Sequence, residues 1–399
     1  MTVVKQASFA PELTAIAGRA NVSPGSDADT VDGIAPKSVV LPGSYDEVCG
    51  VLRYANDERL ALIALGGRLH TAFGNLPSRY DLALDVTRLD QVVEFEPADL
   101  TITVQAGMTL GALRRVTAES RMMVPFDQTL PDGATVAGAL AAAISGPSRM
   151  SLGAPRDFTI GMRVVTADGR LTRAGGRVVK NVAGYDLCKL YIGSLGTLGV
   201  IVEATFKTVP LPRAEQPLAF GFRDATGACA LVTRATSSGL ALRSAVLTRE
   251  DNVWRLELVL AGMPDAVNRS IGELKQRADD PPPPASDQRT DAAPIAARLS
   301  VLPARLSALL AEVPQDAHIE AHPATGIVRI EPAIDSLSSV RSLASKHNAT
   351  CVIERCPPEV KRDIDVFGKA PPSLELMRAI KREWDPNSVL SPGRMVGKI

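Results

Sequence analysis

Gly193, Gly196 and Gly199 punctuate a stretch, residues 175–203, that also carries Lys180, Asn181, Tyr185 and Asp186 and runs into a strand-forming segment, residues 198–209. Glycines at this spacing let a backbone pass close to a bulky ligand, and the β-branched run before Pro210 reads as a strand ending in a turn. Taken alone, they are equally compatible with a tight helix-to-strand turn. A second feature is Gly66-Gly67-Arg68-Leu69-His70-Thr71-Ala72-Phe73-Gly74, which directly follows an apolar run at 60–65. A strand entering a glycine loop can offer backbone N–H groups to phosphate oxygens. A third, residues 134–145, has almost only tiny side chains, which suits a flat ligand or a close-packed helix.

Other chemistries are poorly served. Cys49, Cys188, Cys229, Cys351 and Cys356 lack CxxC spacing, so neither a zinc site nor an iron–sulfur cluster is expected, and the thiols read as buried. His318 and His322 stand four apart, as in a helical metal pair, but Thr325, Gly326 and β-branched neighbours favour strands. No GxxxxGK[ST] is present and no strand–GxGxxG–helix opens the chain, which argues against a Rossmann dehydrogenase.

The elements that must position these loops follow from periodicity and caps. Ser44 and Glu47 form a capping-box pattern before Val48, Val51, Leu52 and Ala55, predicting a helix over 45–58. Alternation predicts strands at 82–86, 92–96 and 100–106, and Thr109 caps a helix to about 120. Asp168-Gly169 reads as a hairpin turn. Beyond Pro212, residues 217–261 read as strand, helix and two strands, with a helix to about 277. The run 279–286, rich in proline, reads as an exposed connector. A helix near 302–312, a hairpin at 318–331, a helix at 335–347, a strand at 350–354 and a helix at 374–384 complete the chain. The tail from Asp385 to Arg394 reads as rigid and docked on the body.

With 399 residues, 45% of them hydrophobic, the chain can bury a large core in two or three lobes. Lys+Arg and Asp+Glu both number 44, so no basic face points to nucleic acid. No run approaches the ~20 apolar residues of a membrane span and residues 1–19 lack signal-peptide order, so the expected location is cytoplasmic.

The loop at 66–74, the small-residue run at 134–147, the Gly153-Ala-Pro-Arg-Asp157 step and the segment 175–203 occur in the order of the p-cresol methylhydroxylase-type FAD-binding fold, which the chain resembles. The tail Asp385-Pro386…Ser391-Pro392-Gly393-Arg394 resembles the DPxxxxNPGR ending of bacterial glycolate oxidase FAD-binding subunits, with Ser391 in place of asparagine. Lys180-Asn181-Val182-Ala183-Gly184-Tyr185-Asp186-Leu187 is similar to the smaller of those subunits. The resemblance spans 36–210 and the tail, and 215–315 carries little of it.

It implies an α+β chain with a two-lobed FAD-binding domain over 1–212 (lobes 36–107 and 108–212), an α+β cap over 213–372 and a docking helix and tail over 373–399. FAD would be held by Gly66, Gly67, Arg68, Leu69, His70 and Thr71, with Asp127, Thr135, Gly138, Ser145, Gly146, Gly153, Arg156, Asp157, Gly199, Val200 and Ile201 around it. Arg156 and Asp157 are expected to pair structurally. Some oxidases of this fold attach FAD through a histidine in the first loop, where glycolate oxidase subunits usually have glycine and serine. His70 is thus a covalent attachment point or a non-covalent neighbour of phosphate or solvent. Arg68 stands where the family loop usually has glycine.

The catalytic 2-hydroxy acid dehydrogenases of this superfamily carry His-x-Gly-Asp-Gly-Asn-x-His, which holds a divalent metal, and later Glu-His-Gly with a following lysine. The like-spaced segments here are His322…Arg329 and Glu354-Arg355…Lys361. The alternative is a coincidence of ordinary strand ends. Arginine neither ligates metals nor gives up its proton, so the alignment makes His322, Arg329 and Arg355 relics of a catalytic centre with no metal.

The reading that follows is an FAD-binding subunit of a glycolate oxidase (dehydrogenase) complex, beside a catalytic flavoprotein subunit and an iron–sulfur subunit, supporting oxidation of the 2-hydroxy acid glycolate to glyoxylate with electrons passed via flavin to the iron–sulfur partner. Attachment to the inner face of the membrane would come through those partners. The competing readings are a stand-alone FAD oxidase of a hydroxy acid, sugar or aldonolactone, and a flavin-free scaffold.

Overall fold

A computed structural model describes residues 11–176, 185–250, 253–276, 293–332 and 337–399. Three larger sheets and a two-stranded ribbon, Met122–Met123 with Val209–Pro210, carry it among the described residues.

The first sheet orders Val22–Pro24, Ser38–Val40, Leu82–Asp85 and Leu62–Leu65, with the last three strands parallel. The helix Tyr45–Asp57 is the crossover from Ser38–Val40 to Leu62–Leu65, and Leu82–Asp85 lies between those two parallel strands. Ser44 accepts from the Glu47 N–H at 3.2 Å, while the Glu47 carboxylate accepts from Gly43. Val48, Val51, Leu52 and Ala55 lie buried in that lobe's core.

The second sheet is antiparallel, in the order Val92–Glu96, Thr101–Gln105, Val200–Lys207, Thr159–Val165 and Leu171–Gly175. A lobe boundary at 107 would put residues 92–105 in the first lobe, but their backbone pairing with Val200–Lys207 places them in the second sheet. Phe126, Phe158 and Phe206 fill its core edge to face, with centroids 5.1 and 5.4 Å apart.

The third sheet has seven antiparallel strands, Ala214–Phe222, Val253–Gly262, Leu242–Glu250, His318–His322, Ile327–Glu331, Ala296–Ser300 and Thr350–Arg355. The helices Ala225–Ser237, Pro264–Lys275, Pro303–Leu310 and Leu337–Lys346 share its core through Leu231, Leu274, Leu306 and Val340. His318 and His322 are therefore strand residues. The proline run at 279–286 and Lys180 to Gly184 lie outside the described residues.

The helix Leu374–Trp384 packs on the second lobe, where Trp384 meets Tyr191 at 5.4 Å. Asp385 then pairs with Lys381 at 2.6 Å and accepts from the N–H groups of Val389 and Leu390. Leu62 donates to Val389 and Ser391 donates back to Leu62, so the tail lies alongside the strand that feeds the glycine loop. No helix among the described residues is long and apolar enough to cross a membrane.

Candidate functional site

The strand Leu62–Leu65 ends at Gly66, and the chain crosses toward the 133–135 turn at a separation that leaves no room for a side chain. A Cβ on Gly66 would collide with the Thr135 hydroxyl, and one on Gly67 with the Gly133 carbonyl oxygen. From Gly67 to Thr71, no backbone N–H donates to a backbone acceptor among the described residues. Five successive donors open on a cleft.

Arg68 takes φ +57°, a left-handed conformation that costs a side-chain-bearing residue about 1 kcal/mol. Its guanidinium explains why it stays there. It bonds Asp29 at 2.8 Å and Asp85 at 2.7 Å, one carboxylate from the turn Asp27–Asp29 and one from the end of the strand Leu82–Asp85. Arg68 therefore ties the loop to both carboxylates.

The facing wall is the helix Val136–Ala141, capped by the Thr135 hydroxyl, which accepts from Gly138 at 3.3 Å. Ala134, Thr135, Ala137, Gly138, Ala141 and Ala142 line that side of the cleft. Leu195, Gly196 and Gly199 to Ile201 close the end.

The loop's far end is held by the tail. Arg394 donates to the carbonyls of Thr71 (2.6 Å), Asn75 (3.0 Å) and Phe73, and to Asp32 at 3.0 Å. Asp32 also pairs with Lys361 at 2.6 Å, whose ammonium bonds the Ala72 carbonyl. Both cations are almost wholly buried, and burial drives each below its ordinary pKa against the pull of Asp32.

A larger cavity adjoins the cleft, with Leu69, His70 and Ala142 common to both. Its far wall is the third sheet, contributing Arg298, Arg329, Glu331, Glu354 and Arg355. Glu354 bonds Arg298 at 2.7 Å and Arg329 at 3.1 Å. Arg329 also bonds Glu320 at 3.2 Å, and Arg355 bonds Glu331 at 2.9 Å. His322 donates from Nε2 to Glu320 at 3.0 Å, and this bond, with Arg329 adding to it, holds the Glu320 carboxyl at about 2. Burial lowers the His70 imidazole below its usual value; Glu354 opposes that and Arg329 adds to it.

Several expected site residues fall elsewhere. Asp127, Ser145, Gly146 and Gly153 line a separate crevice, because the chain turns away after the short helix, with Ala143 at φ +50°. There Asp127 accepts from Thr129 and Ser148 and packs against Gly146. Ser145 and Arg156 also reach the larger cavity. Asp157 caps the Ala154 N–H at 2.7 Å, and no ion pair joins it to Arg156 among the described residues. Lys361 stands far from Glu354's role, buried against Asp32 behind the loop. The residues that sequence reasoning missed are Asp29, Asp32, Asp85 and Arg149; the buried acids carried no local signal, since their partners lie up to 362 positions away.

Residues 36–175 match a family described as "FAD binding domain". Those residues are an FAD binding domain. The chain is 36% identical over 177 residues to a D-2-hydroxyglutarate dehydrogenase of Xanthomonas citri pv. viticola, covering 44% of this chain and 38% of that protein. It is 34% identical over 184 residues to glycolate oxidase subunit GlcD of Bacillus subtilis, covering 46% and 39%. It is 39% identical over 136 residues to glycolate oxidase subunit GlcE of Escherichia coli, covering 34% and 39%. In each case the chain spans about two fifths of the relative's length.

The FAD domain and the seven-stranded sheet together have the fold of p-cresol methylhydroxylase, with a TM-score of 0.71 at 16% identity over 96% of this chain and 95% of that one. An alkyldihydroxyacetonephosphate synthase shares it, with a TM-score of 0.74 at 17% identity over 98% and 86%. The FAD domain's cleft suits its cofactor. The N–H groups of Gly67 to Thr71, free of backbone acceptors, could donate to a pyrophosphate, and the alanines and glycines lining the cleft would admit flat rings.

Proposed function

We propose that this chain is the FAD-binding subunit of a 2-hydroxy acid oxidising complex, with glycolate as the complex's substrate and catalytic flavoprotein and iron–sulfur subunits as its partners. The observation that carries the accessory role is the state of Arg329 and Arg355. At the two positions where the catalytic enzymes resembled here have histidine, both guanidiniums are tied to glutamates. Neither can accept a substrate proton at any ordinary pH.

Bound FAD would supply reversible two-electron chemistry. The backbone of Gly67 to Thr71 would hold its phosphates, Thr135 and Gly138 would flank them, and Gly199 to Ile201 would present main chain at the closed end. Arg68 and Arg394 would keep that loop in place from behind, so that little ordering remains to be done on binding. Leu69 and His70 stand at the threshold between cleft and cavity.

The test is glycolate-dependent dye reduction by the purified chain, alone and with its partner subunits. Activity only in the assembled complex supports the proposal, and full turnover by the isolated chain overturns it. The stand-alone oxidase remains the second reading because His70 lies at that threshold. Flavin that stays with the acid-precipitated protein, on a peptide containing His70, would favour it.

A further inference from the structure

The larger cavity carries more positive charge than its own walls neutralise. Five guanidiniums reach it, from Arg149, Arg156, Arg298, Arg329 and Arg355, and Glu331 and Glu354 are its carboxylates. With Glu320 behind Arg329, three carboxylates satisfy Arg298, Arg329 and Arg355. Arg149 and Arg156 have no carboxylate partner among the described residues; Arg149 donates only to the Ser145 hydroxyl at 3.3 Å. Ser145 joins the two sides, because its carbonyl accepts from Arg329 at 3.4 Å. Between the charges the lining is apolar, with Leu69, Phe73, Ile144 and Ile327.

We infer that this cavity is a binding site for a small dicarboxylate, whose two carboxylates match the two unmatched guanidiniums and whose hydrocarbon spacer meets the apolar wall. Planar guanidinium forks take carboxylates bidentately, and Arg149 and Arg156, both exposed, leave an excess of positive charge on the cavity lining that favours the counter-charge. The cavity spans about 1420 Å³, the solvent at its open mouth included. This site goes beyond the accessory role proposed above, since it requires neither turnover nor the partner subunits.

The test is calorimetric titration of the intact FAD-loaded chain at physiological salt with succinate and glutarate, with butyrate and valerate of equal length, and with glycolate and inorganic phosphate. The expected result is binding of a dicarboxylate at least about tenfold tighter than its monocarboxylate partner, the discrimination of one additional charged contact. Arg149→Ala and Arg156→Ala should each erase that preference while folding and flavin content, read by circular dichroism and absorbance, stay unchanged. Arg156→Lys should keep part of it. Equal affinity for mono- and dicarboxylates, phosphate binding as tightly, no binding of any probe, or a preference that survives in both alanine variants would overturn the inference. A chain that carries no FAD would instead count against the flavin reading, and the same titration of it would still report on the cavity.

Discussion

Arg394 donates to the carbonyl oxygen of Thr71 at 2.6 Å, so a tail residue sets the far end of the glycine loop from 323 positions away. The same guanidinium is buried and bonded to Asp32. Arg394→Ala would leave three loop carbonyls without a donor and weaken the neutralisation of Asp32. Breaking such a buried pair costs about 3–5 kcal/mol. The expected outcome is a lower urea midpoint and loss of bound flavin; a variant with unaltered midpoint and flavin content would show the tail to be incidental.

Gly67→Ala should remove FAD while sparing the fold, because its Cβ would strike the Gly133 carbonyl where two backbones meet. Gly138→Ala should be tolerated, since its Cβ would approach only the Thr135 hydroxyl, at 3.2 Å. Gly138→Leu, with its longer branched side chain directed to the slot, should exclude the flavin, at an overpacking cost of about 1–3 kcal/mol. Absorbance after gel filtration distinguishes these three, and equal flavin in all of them would misplace the cofactor.

Arg68→Ala should destabilise the first lobe by about 2–4 kcal/mol, because Asp29 and Asp85 lose their shared cation while alanine keeps the left-handed strain at this position. Asp29→Asn/Asp85→Asn in the Arg68→Ala background should recover part of the loss in chemical denaturation. No recovery would mean that the ion pairs are not what holds the loop.

Two groups set the acid response. Burial keeps the His70 imidazole below its ordinary value, so below about pH 6.5 the unfolded chain binds the proton more readily and stability falls as pH falls. The Glu320 carboxyl sits at about 2 against an ordinary 4.5, so its contribution is complete above about 4.5 and is lost on acidification toward 2. Thermal unfolding from pH 8 to 3 should show both steps. His70→Asn should flatten the upper one and Glu320→Gln the lower; unchanged slopes in both variants would contradict these environments.

Much of the scaffold was legible in local pattern. Helix Leu374–Trp384 and the Thr109 cap, which accepts from Ala112, stand where periodicity and side-chain chemistry put them. The strand Ala296–Ser300 was not legible: Ala, Arg and Ser have little strand preference, and it exists because neighbours pair with both its edges. The glycine loop could be recognised as a cradle from composition, but not what holds it, because Asp32, Lys361 and Arg394 meet only in the folded chain. Composition also grouped Ser145 and Gly146 with the small-residue wall, whereas the turn at Ala143 carries them out of the cleft.

The most direct test of the central claim is the flavin content of the purified chain. One FAD per chain, released to the supernatant on acid precipitation and lost in Gly67→Ala, is the expected result. A folded, colourless chain that takes up no added FAD would contradict the account.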